Sequence, residues 1–271
     1  MKSTTLFHIP LYNGTYSDFF AKIQDPREKT LVFTPNPEIF VRASRDDTFM
    51  DILTRSTYNV PDGNGLYIGY MMQEGKWFFS SWLCVFFQKK KVREEYGELI
   101  KGSDLTRDIL ESAKSIPKKI LVIDRKNAVP KNEFEQKKAE VQKNLKRIIE
   151  DKYPGVELFV VFAWEKTPEE IAKLVQEESI QYIFSCVGMK TQEQLLIDIF
   201  EHLDSSEKVV GLGVGASIDF LLGLQKRAPG IFQKLGLEWF YRLITQPRIR
   251  ARRIWDAVYH FPRLIKKSSN S

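Results

Sequence analysis

Within the 271 residues, the groups best suited to proton transfer sit in turns rather than in runs of charge. Pro61-Asp62-Gly63 places one carboxylate between a residue that fixes φ and one that accepts positive φ, the composition of an ordinary turn. If a strand of a parallel sheet precedes that turn, Asp62 lies at the carboxyl edge, where open α/β proteins bind ligands, and could take the proton of an attacking hydroxyl. Thr34-Pro35-Asn36-Pro37 also follows an apolar stretch. Its hydroxyl and amide suit a sugar or a phosphate, and equally suit the N-cap of a helix. Gly211-Leu212-Gly213-Val214-Gly215-Ala216 resembles a dinucleotide fingerprint, but its spacing is G-x-G-x-G-A and no acidic residue follows about 20 positions on. A phosphate-facing turn at Gly215 or close helix–sheet packing is expected there rather than NAD binding.

Asp-x-Asp occurs nowhere in the chain. Cys84 and Cys186 cannot build a cysteine-rich zinc site, and His8, His202 and His260 stand in unrelated contexts. Neither a catalytic metal nor a cofactor is expected. A different chemistry is suggested by residues 77–87 (WFFSSWLCVFF), followed at once by Gln88-Lys89-Lys90-Lys91-Val92-Arg93. The run reads as core or as membrane contact, and the adjoining cations favour an interfacial segment with Trp77, Trp82, Phe86, Lys89 and Lys90 against anionic lipid. Near the end of the chain Arg242, Arg248, Arg250, Arg252, Arg253 and Arg263 are interleaved with Trp239, Phe240, Tyr241, Trp255, Tyr259 and Phe261. A nucleic-acid patch can look like this too.

The elements that must hold these groups alternate. Strands are expected at 30–34, ending near 60, and at 119–123, 156–162, 182–187 and 208–214. Helices are expected after Pro37, after Gly65, at about 104–115, 132–152, 192–203 and from 216, with a capping box at Thr167-Pro168-Glu169-Glu170. The strands are nearly all apolar, which calls for a parallel sheet covered on both faces. The 77–87 run fits neither a plain strand nor a plain loop. Beyond Pro229-Gly230, two helices are expected at about 231–244 and 248–261. The organisation is thus an α/β domain over 1–225, with an aromatic and basic insertion at 76–93, and a basic helical appendage over 226–271.

Composition agrees with a folded body: 43% hydrophobic and 28% charged residues exclude disordered and collagen-like classes. No stretch reaches the ~18 apolar residues of a spanning helix, and no signal peptide opens the chain. Two cysteines suit a reducing compartment. The net charge of +6 is a property of the tail, which from Lys226 onward carries +9 and leaves −3 for the rest. That asymmetry asks for a polyanionic partner: nucleic acid, an anionic membrane, or a diphosphate.

Taken in order, Phe33-Thr34-Pro35-Asn36-Pro37-Glu38, Pro61-Asp62-Gly63-Asn64-Gly65, Gly102-Ser103-Asp104-Leu105, Gly188 to Gln192-Glu193, Val214-Gly215-Ala216 and Arg227-Ala228-Pro229 with Leu237-Glu238-Trp239-Phe240-Tyr241-Arg242-Leu243 resemble the WecG/TagA/CpsF family of bacterial glycosyltransferases. The resemblance covers nearly the whole chain. It implies a Rossmann-like core whose C-terminal appendage completes the active site and touches the membrane. It implies inverting, metal-independent transfer of N-acetylmannosamine or a related sugar from a UDP-sugar donor to a polyprenyl-diphosphate-linked acceptor at the cytoplasmic membrane face. Carried over by motif, Asp62 is the general base, Thr34 and Asn36 line its pocket, and Gln192 faces the nucleotide sugar. Asp104 and Gly215 belong to substrate-binding motifs, and Arg242 and Arg252 neutralise diphosphate. Arg248, Arg250 and Arg253 would then meet the membrane, with no role for nucleic acid. The chain has Gly188-Met189-Lys190-Thr191-Gln192-Glu193 where the family usually has Gly-x-Pro-x-Gln-Glu. Two other readings compete: a non-catalytic nucleic-acid or lipid binder using the tail, and an NAD-dependent oxidoreductase resting on the 211–216 glycines.

Overall fold

The computed structural model describes residues 4–124, 134–215, 217, 229, 238–245 and 247–268. Its side chains at 134–138, 238–240, 242 and 248–250 lie outside the described set. A short hairpin, β1 (Thr5–Leu6) with β2 (Ile9–Pro10), opens the fold. Helix α1 (Tyr16–Ile23) leads to β3 (Thr30–Phe33), α2 (Pro37–Ala43), α3 (Asp47–Thr54), β4 (Tyr58–Asn59) and α4 (Gly65–Gln73). Three helices follow, α5 (Phe78–Phe87), α6 (Lys89–Tyr96) and α7 (Gly102–Ser112). Then come β5 (Lys118–Asp124), α8 (Phe134–Lys152), β6 (Val156–Phe162), α9 (Pro168–Glu177), β7 (Tyr182–Ser185), α10 (Thr191–His202) and β8 (Val210–Gly213).

Strands β3 to β8 form one parallel sheet in the order β4-β3-β8-β7-β5-β6. Because successive side chains alternate across a strand, an all-apolar strand must supply two cores. Leu31, Phe33, Leu121, Ile123 and Ile183 join the core that includes residues of α2, α3, α4, α9 and α10. Val32, Ile120, Val122, Tyr182, Phe184, Val210 and Leu212 join the core on the other face, with α1, α7 and α8. This is the α/β architecture expected from the strand pattern. The capping box is present as both reciprocal bonds, Glu170 N–H to Thr167 Oγ1 at 3.2 Å and Thr167 N–H to Glu170 Oε2 at 2.7 Å.

The glycines of β8 serve packing. A Cβ at Gly211 would stand 2.8 Å from the Phe200 ring, so its absence lets α10 lie close on the sheet. Gly215 has φ +53, the left-handed conformation that glycine adopts without steric cost.

One expectation is completed and one corrected. Residues 78–87 form a regular helix; periodicity concealed it, because α5 is apolar on both its buried and its exposed side. The chain end is also longer in helix than expected. After α11 (Glu238–Thr245) and α12 (Pro247–Trp255), a π-helical turn (Asp256–His260) leads directly into α13 (Phe261–Ser268). Pro262 has no N–H to continue the α-helical ladder, and the wider turn accommodates it with Phe261 N–H donating to Asp256 O. The helix expected from 216, and the first part of the one expected at 231–244, lie outside the described residues, as does the boundary at 225.

Helices α5, α6 and α13 belong to one side of the sheet. Val85, Val92, Tyr96, Phe261 and Ile265 are all buried in the core that contains Phe40, Leu66 and Met71. A Cβ at Gly69 would stand 2.9 Å from the Phe261 ring, so α13 rests directly on α4.

Candidate active site

The polar residues singled out by sequence converge on the carboxyl ends of four adjacent strands, β4, β3, β8 and β7. Thr34 follows β3, and its Oγ1 donates to Gly213 O at 3.1 Å, fastening the ends of β3 and β8 to each other. Asn36 is the N-cap of α2, its Oδ1 accepting the Ile39 N–H at 3.0 Å. The capping reading is therefore correct, and it fixes the amide at the head of the sheet.

Asp62 follows β4. Its backbone N–H donates to Pro35 O at 3.0 Å, which joins the Asp62 turn to the Thr34–Pro37 loop. The turn depends on its glycines: Gly63 has φ +96, and a Cβ on Gly65 would stand 2.6 Å from Pro37. On the other side Ile100 N–H donates to Pro61 O at 2.8 Å, bringing in the segment that starts α7. Gly102 packs beneath Thr34 and Val214, its Cβ position 3.4 Å from Thr34 Cγ2. Asp104, in the first turn of α7, lies 3.4 Å from Arg107 Nη1. Arg107 in turn holds Asp108 at 2.7 Å, and the Tyr16 hydroxyl donates to Asp108 at 2.6 Å.

The first turn of α10, the helix after β7, contributes Gln192, whose Oε1 accepts the Gly215 N–H at 3.1 Å. The expected phosphate-facing N–H of Gly215 is thus engaged by a side chain. Gln192 Nε2 donates to Glu193 Oε1 at 2.6 Å, beside Gly213, where a Cβ would leave only 3.2 to 3.4 Å to the two side chains. Glu193 is 1% exposed, and its Oε2 has no hydrogen-bond partner among the described residues. Burial pushes its carboxyl up to about 7, against hydrogen bonds from Gln192 and the backbone that pull it down.

Sequence reasoning passed over Glu193, although it directly follows Gln192. It also missed Lys190, which adopts φ +66 and ψ −54 immediately before α10 and reaches Asp46 at the head of α3. The Nζ–Oδ2 distance is 2.5 Å, and this bond holds the Asp46 carboxyl below the usual carboxylate range. Glu38, the last residue of the Phe33–Glu38 motif, is buried as well. Its Oε1 lies 2.8 Å from Arg42 Nη2 and 3.4 Å from Arg253 Nε, a charge pairing without hydrogen-bond alignment.

Arg253, expected at the membrane, therefore turns inward to α2. Arg252 is exposed on α12 and makes no ion pair among the described residues. Arg242, Arg248 and Arg250 lie on α11 and α12, their side chains outside the described set. Trp77 and Trp82 are exposed and Phe86 is half-buried on α5, with Lys89 and Lys90 opening α6. Among the described residues there is no group of three or more His, Cys, Asp and Glu placed to hold a metal ion.

A Rossmann-like sheet whose carboxyl edge collects a hydroxyl, two amides and a carboxylate from three strand ends defines an α/β protein with one edge site, a plan shared by many nucleotide-dependent enzymes. The chain belongs to the glycosyl transferase WecG/TagA/CpsF family, which it matches over residues 4–77 and 83–271. It is 26% identical over 254 residues, 91% of this chain and 85% of its relative, to the N-acetylglucosaminyldiphosphoundecaprenol N-acetyl-beta-D-mannosaminyltransferase of Bacillus subtilis (strain 168). The protein of the same name from Staphylococcus aureus (strain NCTC 8325 / PS 47) is 26% identical over 220 residues, 80% of this chain and 73% of that protein.

Proposed function

We propose that this glycosyltransferase moves N-acetylmannosamine, or a closely related sugar, from a UDP-sugar to a polyprenyl-diphosphate-linked N-acetylglucosamine acceptor, with inversion and without a metal, in the synthesis of a cell-surface polymer. The observation that carries the reading is the convergence of Thr34, Asn36, Asp62 and Gln192 on one sheet edge. In a non-catalytic binder using the tail, these residues would have no reason to meet.

Asp62 takes the proton from the acceptor sugar hydroxyl as its oxygen attacks the donor anomeric carbon from the face opposite UDP, which inverts that centre. The attacking oxygen forms a bond to carbon while the bond from carbon to the UDP oxygen breaks, and UDP departs with the electron pair. Thr34 and Asn36 orient the sugar beside Asp62. Gln192, held by Gly215 and Glu193, presents its amide at the donor side. With no Asp-x-Asp to hold a divalent ion, the charge on the leaving diphosphate falls to arginine. Arg252 is exposed and makes no ion pair among the described residues, and Arg242 lies on the preceding helix, which supports their assignment to that task.

The acceptor class follows the activity for which the relatives are named, and the reaction is assigned to the cytoplasmic membrane face. No helix among the described residues is long and apolar enough to cross a membrane, so association is proposed to be peripheral. The deciding experiment incubates the protein with a panel of UDP-sugars and a short-chain polyprenyl-diphosphate-GlcNAc analogue and measures UDP release. Release that depends on both partners is expected; no release with any member of the panel would overturn the proposal.

A further inference from the structure

Helix α5 has two apolar sides. One packs on α4 through Val85 and Phe78, with Ser81 fully buried between them. On the other, Trp77 is 84%, Phe79 67%, Trp82 41% and Phe87 73% exposed. The outer rings are ordered: Phe79 stacks on Trp82 at 6.1 Å and Trp82 on Phe86 at 5.7 Å, both within 20° of parallel. The spacing of three and four residues puts these rings on one ribbon along the helix. A soluble helix of a globular protein shows a polar outer face, so this ribbon requires a partner.

Three observations choose that partner. Between Trp77 and Phe87 there is no charged residue, and Lys89, Lys90, Lys91 and Arg93 follow within the next turns, with only Glu94 and Glu95 opposing them. Pairing with a second copy of α5 would set basic ends against basic ends, because Lys76 stands at the other end of the helix. The family match also omits 78–82, the first half of α5, so the ribbon is not part of the common catalytic frame. Moreover, α5 and α13 both pack on α4, which places the aromatic ribbon and the basic chain end on the same side of the sheet.

We propose that α5 is an interfacial membrane anchor: the Phe79–Trp82–Phe86 ribbon seats at the boundary of headgroups and acyl chains of an anionic bilayer, and Lys89, Lys90, Lys91 and Arg93 engage the lipid phosphates. Ten residues of helix span about 15 Å, half of a hydrocarbon core, so α5 lies along the surface rather than through it. The proposal deepens the reading of a lipid-linked acceptor by naming the surface on which the enzyme meets it.

The test uses the full chain without substrate. Co-sedimentation is measured with vesicles of phosphatidylcholine alone and of phosphatidylcholine with phosphatidylglycerol, at low and physiological salt. The parent should bind the anionic vesicles. Phe79→Ser combined with Trp82→Ser should lower partitioning tenfold or more at both salt concentrations, with the circular dichroism spectrum unchanged. Lys90→Ala combined with Lys91→Ala should cost about fivefold per lysine at low salt and less at high salt.

Partitioning of the aromatic double variant within twofold of the parent would overturn the anchor. So would a parent that binds no vesicle, or one that sediments as a dimer which the aromatic variant dissociates without losing lipid affinity. Turnover on the short-chain soluble acceptor separates the two proposals. Its absence in every protein, with lipid binding intact, would count against glycosyl transfer and leave the anchor standing.

Discussion

The side-chain oxygen of Gln192 accepts the backbone N–H of Gly215 at 3.1 Å, so the first turn of α10 is tied to the loop after β8. The tie is only as good as the orientation of the Gln192 amide, and Glu193 sets that orientation by accepting a hydrogen bond from Nε2. A buried carboxyl thus orients the side chain that links α10 to the loop after β8.

Glu193 should leave a signature in stability against pH. Its folded-state value of about 7 lies above the ordinary 4.5, so the folded protein holds a proton that the unfolded chain has released. Its contribution is complete below about pH 4.5 and is lost as pH rises to about 7. Between pH 5 and pH 8 this one group costs about 2 kcal/mol. Urea denaturation of Glu193→Gln should show a pH 5 to pH 8 difference smaller than the parent's by that amount. An unchanged difference would mean that the carboxyl titrates normally.

Asp62→Asn keeps the backbone bond to Pro35 and the glycines of the turn, yet removes the proton acceptor. Turnover should fall by about 10²–10⁴, with melting temperature changed by no more than a few degrees. Activity within twofold of the parent would assign the proton to another group.

Turnover should survive excess EDTA unchanged, since the diphosphate charge is assigned to arginine rather than to a divalent ion. Loss of UDP release that magnesium or manganese restores would reverse that assignment.

Phe261 is 1% exposed, among Phe40, Gly69 and Ile265. Phe261→Ala should cost about 3–5 kcal/mol, and Gly69→Ala about 1–3 kcal/mol through overpacking against the same ring. Both are read by chemical denaturation. Values near zero would mean that α13 does not cover α4 in solution.

At Lys190 the backbone is in a region that glycine tolerates and other residues resist. Lys190→Gly and Lys190→Ala both lose the bond to Asp46, so comparing them isolates the strain. The glycine variant should be more stable by about 1–2 kcal/mol. Equal melting temperatures would show that the segment relaxes.

How far the sequence could be read follows from the range of each interaction. The parallel sheet was legible because the strands are nearly all apolar, and the capping box at Thr167 and Glu170 because four consecutive residues contain all of it. The Thr34, Asn36 and Asp62 turns could be placed at one edge because each follows a strand. The regularity of α5 was not legible: its outer face is as apolar as its inner one, and only the surrounding structure tells them apart. Nor were the pairing of Glu38 with Arg253, the bond of Lys190 to Asp46 or the burial of Glu193, since each is decided by a partner or a packing layer distant in the chain.

The contact between α13 and α4 also bears on how the protein folds. Sheet pairing joins β3 to β8, and the outer faces of α2 and α4 stay uncovered until Phe261 and Ile265 arrive from far along the chain. A folding chain can therefore pair its strands while that flank is still open, and contacts of such long sequence separation close late and slowly. Docking of α13 on α4, rather than formation of the Asp62 turn, becomes the step that closes the core.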